Sequence, residues 1–251
     1  LGFAMMGRFT QHMLSLAAGA LMATAFMHLL PEAFESQAGA HDLFATLLVG
    51  VVFFFLLDKA ELWHHGHEHS HAQPSTHGHV HADHDHAHDH GHAHHHHHGP
   101  RSGGWAVLTG DSVHCFGDGI LIASAFMADM RLGVIAAVSV LAHEVPHHMG
   151  DLVVLRQTSP NRRMALVKVS LAGAVTALGG VVGYFLVGQL QDFLPYFLAV
   201  ASSSFVYVAL ADLIPQLQKR LSAQETAAQI LWLGVGIGMV VLVSAVAGHS
   251  H

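Results

Sequence analysis

The chain has 251 residues, 52 % of them hydrophobic and only 11 % charged, with a mean hydropathy of +0.43. Soluble domains carry about 25 % charged residues, so the composition argues against a water-soluble globule. Ten Lys plus Arg and a net charge of −7 leave no basic surface for nucleic acid, and a single cysteine, Cys115, excludes an intrachain disulfide framework.

The polar residues pool in one block, 64–104, and in short connectors. Between them run seven apolar segments, at 9–34, 43–63, 105–127, 132–155, 165–190, 194–217 and 227–247. Each is long enough to cross about 30 Å of hydrocarbon as a helix. Period-two alternation is absent, so helices are the expected spanning structure. The expected fold class is therefore all-α: a polytopic helical membrane bundle forming one transmembrane domain over 1–251, with the lipid bilayer as its main partner. The chain opens at Leu1 without a charged leader, and a further segment ahead of it is expected.

The first segment carries Thr24, His28, Glu32 and Glu35 along one side, with Pro31 inside it. Between the second and third segments, residues 64–98 hold 18 histidines with Glu68, Asp83, Asp85 and Asp89 among them. So few apolar side chains cannot bury a core, and the tract is expected to be disordered without metal. Such a composition reads as a multivalent binder of transition metals.

Orientation follows from the basic residues. With the start of the first segment and the 64–104 loop on the cytoplasmic side, Arg8, Lys59, Arg101, Arg156, Arg162, Arg163, Lys168, Lys219 and Arg220 all fall inside. Only Arg131 falls outside, which is a clear positive-inside bias.

The third segment contains Asp111-Ser-Val-His114-Cys115-Phe-Gly-Asp118-Gly119. Positions 111, 114, 115 and 118 share one helical face. The fourth contains His143, Glu144, His147, His148 and Asp151 within nine residues of an otherwise apolar run. A connector of only a few residues makes these two helices antiparallel neighbours. His114/Asp118 and His143/His147 are both i,i+4 pairs, so each helix offers two nitrogen or oxygen ligands, a set that suits Zn²⁺ and its neighbours. Each Asp or Glu near the bilayer centre costs about 2.5–3.5 kcal/mol on insertion scales. A bound cation would offset that cost, whereas simple interhelical hydrogen bonding would not. Pro146 removes one N–H from the fourth helix, and Gly117 and Gly119 are expected to loosen the third at the same depth.

Gly179/Gly183 in the fifth segment and Gly234/Gly238 in the seventh give small-residue faces for close helix contact. The sixth segment holds Ser202, Ser203 and Ser204, then Asp212 ahead of Pro215. A serine can hydrogen-bond its own helix, so Asp212 is the stronger pathway candidate.

Together these stretches resemble the ZIP (Zrt/Irt-like) family of metal-ion transporters, bacterial members in particular. The resemblance is carried by His114-Cys-Phe-Gly-Asp118-Gly119, His143-Glu-Val-Pro-His147, Gly150-Asp151, His28-Leu-Leu-Pro-Glu32 and Val208-Ala-Leu-Ala-Asp212-Leu-Ile-Pro215. It implies eight spans against the seven counted, the absent one being the family's first. It also implies a two-metal centre. One ion would be held by His114, Asp118, His143 and His147; the other by Asp118, Glu144 and His147, with Cys115 as a further candidate. Cys115 stands where the family usually has Asn, and His148 where a subgroup has Glu. Both departures remove hard oxygen ligands and favour Zn²⁺ over Mn²⁺, with Cd²⁺ and Fe²⁺ as further cargo.

The implied function is movement of divalent transition-metal ions, zinc foremost, into the cytoplasm. His28 and Glu32 would serve the outer approach, and His148, Asp151, Asp212 and Asp111 the path or the surround of the centre. The implied setting is a bacterial inner membrane, and the implied assembly a homodimer. An intramembrane zinc metalloprotease is the alternative, because His143-Glu-Val-Pro-His147 spells HExxH, with Glu144 as general base. Against it, the chain offers more ligands than a catalytic zinc with an open position needs. A cation-diffusion exporter shares the His-x-x-x-Asp spacing, but six spans and a soluble domain after the last are expected there.

Overall fold

The structure is a computed structural model that describes residues 2–66, 103–158, 162–217 and 222–248. The 67–102 part of the His-rich block lies outside the described residues. Among those described, the chain is helical throughout its seven rods, in agreement with the fold class read from the sequence.

The first rod is composite: α1 (Gly2–Thr24), one π-helical turn (Ala25–Leu29) and α2 (Leu30–Glu35). The wide turn is marked by the Leu30 N–H donating to the Ala25 carbonyl. It sits where Pro31 cannot donate to the preceding turn, so the hydrogen bond that proline removes is accommodated in a widened coil. There follow α3 (Ala40–Gly66), α4 (Gly103–Ala128), α5 (Met130–Thr158), α6 (Arg162–Gln189), a 3₁₀ turn (Gln191–Phe193), α7 (Leu194–Leu217) and α8 (Ala223–Gly248).

The helix ends follow from local chemistry. Asp129, the single residue between α4 and α5, uses Oδ1 to accept from the backbone N–H groups of Arg131 (2.8 Å) and Leu132 (3.2 Å), which caps α5. Ser222 and Glu225 form a reciprocal capping box at the start of α8: the Glu225 N–H donates to Ser222 Oγ (3.3 Å) and the Ser222 N–H to Glu225 Oε2 (2.9 Å). α5 continues as one helix through Pro146.

Among the described residues, 11–35, 40–59, 191–211 and 223–248 are helical stretches long and apolar enough to cross a membrane; 112–128 and 173–189 are shorter apolar helices. The outward sides of α3, α6 and α8 expose large apolar side chains such as Phe44, Leu48, Tyr184, Phe185, Leu231 and Leu242. In water that surface would be a liability; against acyl chains it is the solvated face.

Packing is closest where glycines let backbones meet. α4 lies along α6: a Cβ on Gly119 would collide with the backbone of Thr176, Gly179 and Gly180, and a Cβ on Gly179 with the backbone of Phe116. Gly119 therefore serves helix approach rather than loosening. α1 lies along α8 by the same means, at Gly19 against Leu233 and Gly236 against Leu16. Gly234 and Gly238, in contrast, have no neighbour within 4 Å. α1 also packs on α5 and α7, and α3 on α7. One buried polar link crosses the α1–α5 contact, Thr24 Oγ1 to Ser139 Oγ at 2.6 Å. Such interhelical bonds stabilise membrane bundles by about 0.6 kcal/mol on average.

This packing predicts an asymmetric response to glycine substitution. Gly119→Val forces α4 off α6 and is expected to cost about 1–3 kcal/mol or more, read as a lower thermal midpoint in detergent. Gly188→Val, at a position where an added Cβ meets nothing within 4 Å among the described residues, is expected to leave the midpoint unchanged. Equal effects would contradict the packing.

Candidate metal centre

α4 and α5 run antiparallel from the Asp129 corner, which sets His114 and Asp118 on one helix against His143 and Glu144 on the other. His114 Nε2 lies 3.0 Å from His143 Nε2, one ring donating and the other accepting. It lies 3.6 Å from Asp118 Oδ2 and 3.9 Å from Glu144 Oε1, and His143 Nε2 is also 3.9 Å from Glu144 Oε1. One ligand atom from each of these four residues falls within 4.8 Å of the others. Metal–ligand bonds of 2.0–2.2 Å in a tetrahedron place neighbouring N and O ligands about 3.4 Å apart. The observed separations bracket that value.

Burial gives the arrangement its energetic character. Asp118 is 3 % exposed and His143 6 %. Asp118 Oδ2 is buried without a hydrogen-bond partner among the described residues. A carboxylate oxygen so placed is costly unless a cation or donor meets it. His114, at 3.6 Å, is too distant to be that donor.

A trio adjoins this set of four and shares Glu144 with it. Cys115 Sγ, fully buried, lies 3.8 and 3.7 Å from the two Glu144 oxygens, and His148 Nε2 lies 2.6 Å from Glu144 Oε2. One ligand atom from each of Cys115, Glu144 and His148 again falls within 4.8 Å of the others.

The remaining sequence candidates are placed as follows. His147 is exposed, its ring centroid 6.3 Å from that of His114 and 6.2 Å from that of His143, and it belongs to neither compact group. His28 sits half-buried in the π turn with Nε2 lacking a hydrogen-bond partner, and Glu32 is exposed one turn further on. Neither joins the compact groups. The side chains of Asp111, Asp151 and Asp212 lie outside the described residues.

Sequence reasoning passed over Ser204. Ser202 and Ser203 donate to the carbonyls of Leu198 (2.8 Å) and Val200 (2.7 Å) on their own helix. Ser204 instead lines a narrow cavity with Asp118 and His143, closed by Leu21, Val140, Phe205 and Val208. The signal available was period alone: 201, 204, 205 and 208 share the face of α7 that looks inward.

A bundle of apolar helices enclosing two compact sets of His, Asp, Glu and Cys side chains defines a polytopic membrane protein with a candidate cation centre at its heart. Comparison with known proteins gives the family. Residues 5–244 match the family described as ZIP zinc transporter, and the chain belongs to that family. It is 31 % identical over 145 residues to "Zinc transporter foi" of Drosophila melanogaster, covering 57 % of this chain and 20 % of the relative. It is 36 % identical over 115 residues to "Zinc transporter ZIP4" of Homo sapiens, covering 46 % and 18 %. It is 33 % identical over 153 residues to "Zinc transporter ZIP10" of Danio rerio, covering 58 % and 18 %. The matched stretches span about a fifth of the length of these curated relatives.

The buried, unpartnered Asp118 oxygen predicts a trade of stability against binding. In chelator, Asp118→Asn is expected to raise the thermal midpoint, because a neutral amide replaces a carboxylate whose insertion costs about 2.5–3.5 kcal/mol. The same variant should lose most of the added stabilisation that Zn²⁺ confers on the parent chain. A lower midpoint for the apo variant would mean that the fold already satisfies the carboxylate.

Proposed function

We propose that this protein carries Zn²⁺ across a membrane towards the cytoplasm, as a transporter and not an enzyme. The observation that carries the proposal is the buried Asp118 carboxylate, with Oδ2 unpartnered, standing among His114, His143 and Glu144 at ligand spacing. Family membership supports it, and so do the names of the relatives, which are zinc transporters. Nothing in either supports proteolysis at His143-Glu-Val-Pro-His147.

In this reading His114, Asp118, His143 and Glu144 exchange an ion's water for imidazole and carboxylate. His147 stands at the edge of the centre, where it meets an arriving or departing ion. His28 lies seven residues beyond Leu21 of the cavity, about 10 Å further out along the first rod, and with Glu32 it would serve the outer approach. Asp212, Asp111 and Asp151 remain pathway proposals resting on sequence position. The 64–104 block would take up released ions within a single transmembrane domain covering 1–251; its histidine content supports this. Imidazole and thiol ligands favour Zn²⁺ and Cd²⁺, with Fe²⁺ and Mn²⁺ following. The setting we propose is a bacterial inner membrane. The assembly we propose is a homodimer, for which the open faces of Gly234 and Gly238 offer a contact; the mass of the detergent-solubilised particle checks it.

The deciding measurement is uptake of Zn²⁺, Cd²⁺, Fe²⁺ and Mn²⁺ into inner-membrane vesicles or proteoliposomes bearing the protein. Asp118→Ala and His143→Ala are each expected to lower Zn²⁺ uptake by about ten-fold or more. Undiminished uptake in both variants would remove the centre from the path.

A further inference from the structure

Three consecutive serines on α7 have three different surroundings. The Ser202 hydroxyl donates to the Leu198 carbonyl one turn back, at 2.8 Å. Ser203 donates to the Val200 carbonyl at 2.7 Å and fills the notch that Gly50 leaves in α3, where an added Cβ would run into its Oγ. That bond bears on the third serine. A helical Ser204 would ordinarily return its hydroxyl to the Val200 carbonyl, four residues back. In α7 that oxygen already takes the Ser204 N–H and the Ser203 hydroxyl, so both its lone pairs are occupied. Ser204 is buried instead on the wall of the cavity that Asp118 and His143 line.

The other side chains of that wall are Leu21, Val140, Phe205 and Val208, none of which carries a polar atom. The two possible ligands have opposite needs there. Asp118 Oδ2 has no hydrogen-bond partner among the described residues. A carboxylate that binds a metal is ordinarily held by a donor on its remaining lone pairs. His143 turns Nε2 towards His114 at 3.0 Å and Glu144 at 3.9 Å. An ion taken by that nitrogen leaves the ring's proton on Nδ1, which then calls for an acceptor. A hydroxyl can serve both at once, with one O–H to donate and two lone pairs to accept.

We propose that Ser204 is a positioning residue of the centre: when Asp118 and His143 close on a cation, its hydroxyl donates to the carboxylate and accepts from the imidazole. The proposal rests on reading His114, Asp118, His143 and Glu144 as the seat of the transported ion. It deepens that reading by adding α7 to the two helices that supply ligands. Asp118 and His143 come from opposite helices, α4 and α5, so one hydroxyl that engages both fixes their relative orientation from behind. Ligands held in this way lose less freedom when the ion arrives, and the affinity of the seat rises accordingly.

Ser204→Thr and Ser204→Val share one shape and differ only in a hydroxyl against a methyl, so together they separate hydrogen bonding from packing. The purified full chain is titrated with Zn²⁺ while its thermal midpoint is followed in detergent, beside the Zn²⁺ concentration that half-saturates uptake in proteoliposomes. Ser204→Thr is expected to keep the parent's Zn²⁺ dependence in both measurements. Ser204→Val is expected to need about ten-fold more Zn²⁺ in both. Ser204→Ala, which serves if the branched variants fail to fold, should show the same ten-fold change while its midpoint in chelator stays at the parent value. An unchanged Zn²⁺ dependence in Ser204→Val or Ser204→Ala would overturn the proposal. So would a loss in Ser204→Thr equal to that in Ser204→Val, or a lower chelator midpoint for Ser204→Ala with the Zn²⁺ dependence unmoved. The midpoint titration reads binding without transport, so its failure is separable from that of the transport reading, which stands or falls on Zn²⁺ uptake by the Asp118 and His143 variants.

Discussion

The Asp118 carboxylate is enclosed in an apolar bundle with one oxygen that no donor meets. In water the same group would be fully hydrated, and in hydrocarbon its enclosure is among the costlier acts a helix can perform. That cost has to be offset by the packing of the helices around it, and much of the bundle's construction can be traced to the requirement. α4 carries Asp118 and is held on its far side by α6, at a distance that Gly119, Gly179 and Gly183 permit. With its back fixed, α4 presents His114, Cys115 and Asp118 to α5 without freedom to rotate away.

The opposite wall is built differently. α1 and α7 bring Leu21, Phe205 and Val208 up to the carboxylate, with only the Ser204 hydroxyl as relief. Outward of them lies a continuous buried apolar cluster that includes Ala25, Leu29, Leu121, Leu132, Ala136 and Leu198. Water is therefore kept from Asp118 on this side. On the other side, the exposed ring of His147 and the partly exposed His148 give the centre its contact with the surroundings. The carboxylates are thus poised between a dry wall and an open edge. Low dielectric strengthens their attraction for a cation, and the edge leaves a route to one.

The spans and the two polar faces were legible in the sequence because they depend on period and composition. The 3.6-residue repeat places His114 with Asp118, and Glu144 with His148, whatever surrounds them. The inventory of ligands was likewise visible; their partition was not. By spacing alone His147, at i+4 from His143, belongs with the first set, yet it lies at the exposed edge while His148 turns inwards onto Glu144. The azimuth of α5 against α4 decides that, and no local spacing encodes it, since it depends on how α1 and α6 pack around the pair. The backbone contact at Gly119 and the inward side of Ser204 were hidden for the same reason. Each depends on which helix stands opposite.

The HExxH spelling shows how far a local motif can diverge from its chemistry. In a zinc hydrolase the two histidines hold one metal together and the glutamate stays free to activate water. Here His143 and His147 have ring centroids 6.2 Å apart, and only His143 joins the compact set. Glu144 is engaged on both oxygens, by His148 on one and at ligand spacing from His114 and His143 on the other. A carboxylate so occupied is poorly placed to act as base on a water molecule. The same occupancy suits a shared ligand, since a group that faces two sets of donors can release one ion-binding partner while retaining the other. The order of residues is that of a peptidase motif; the arrangement of their atoms sets Glu144 between two groups of possible ligands.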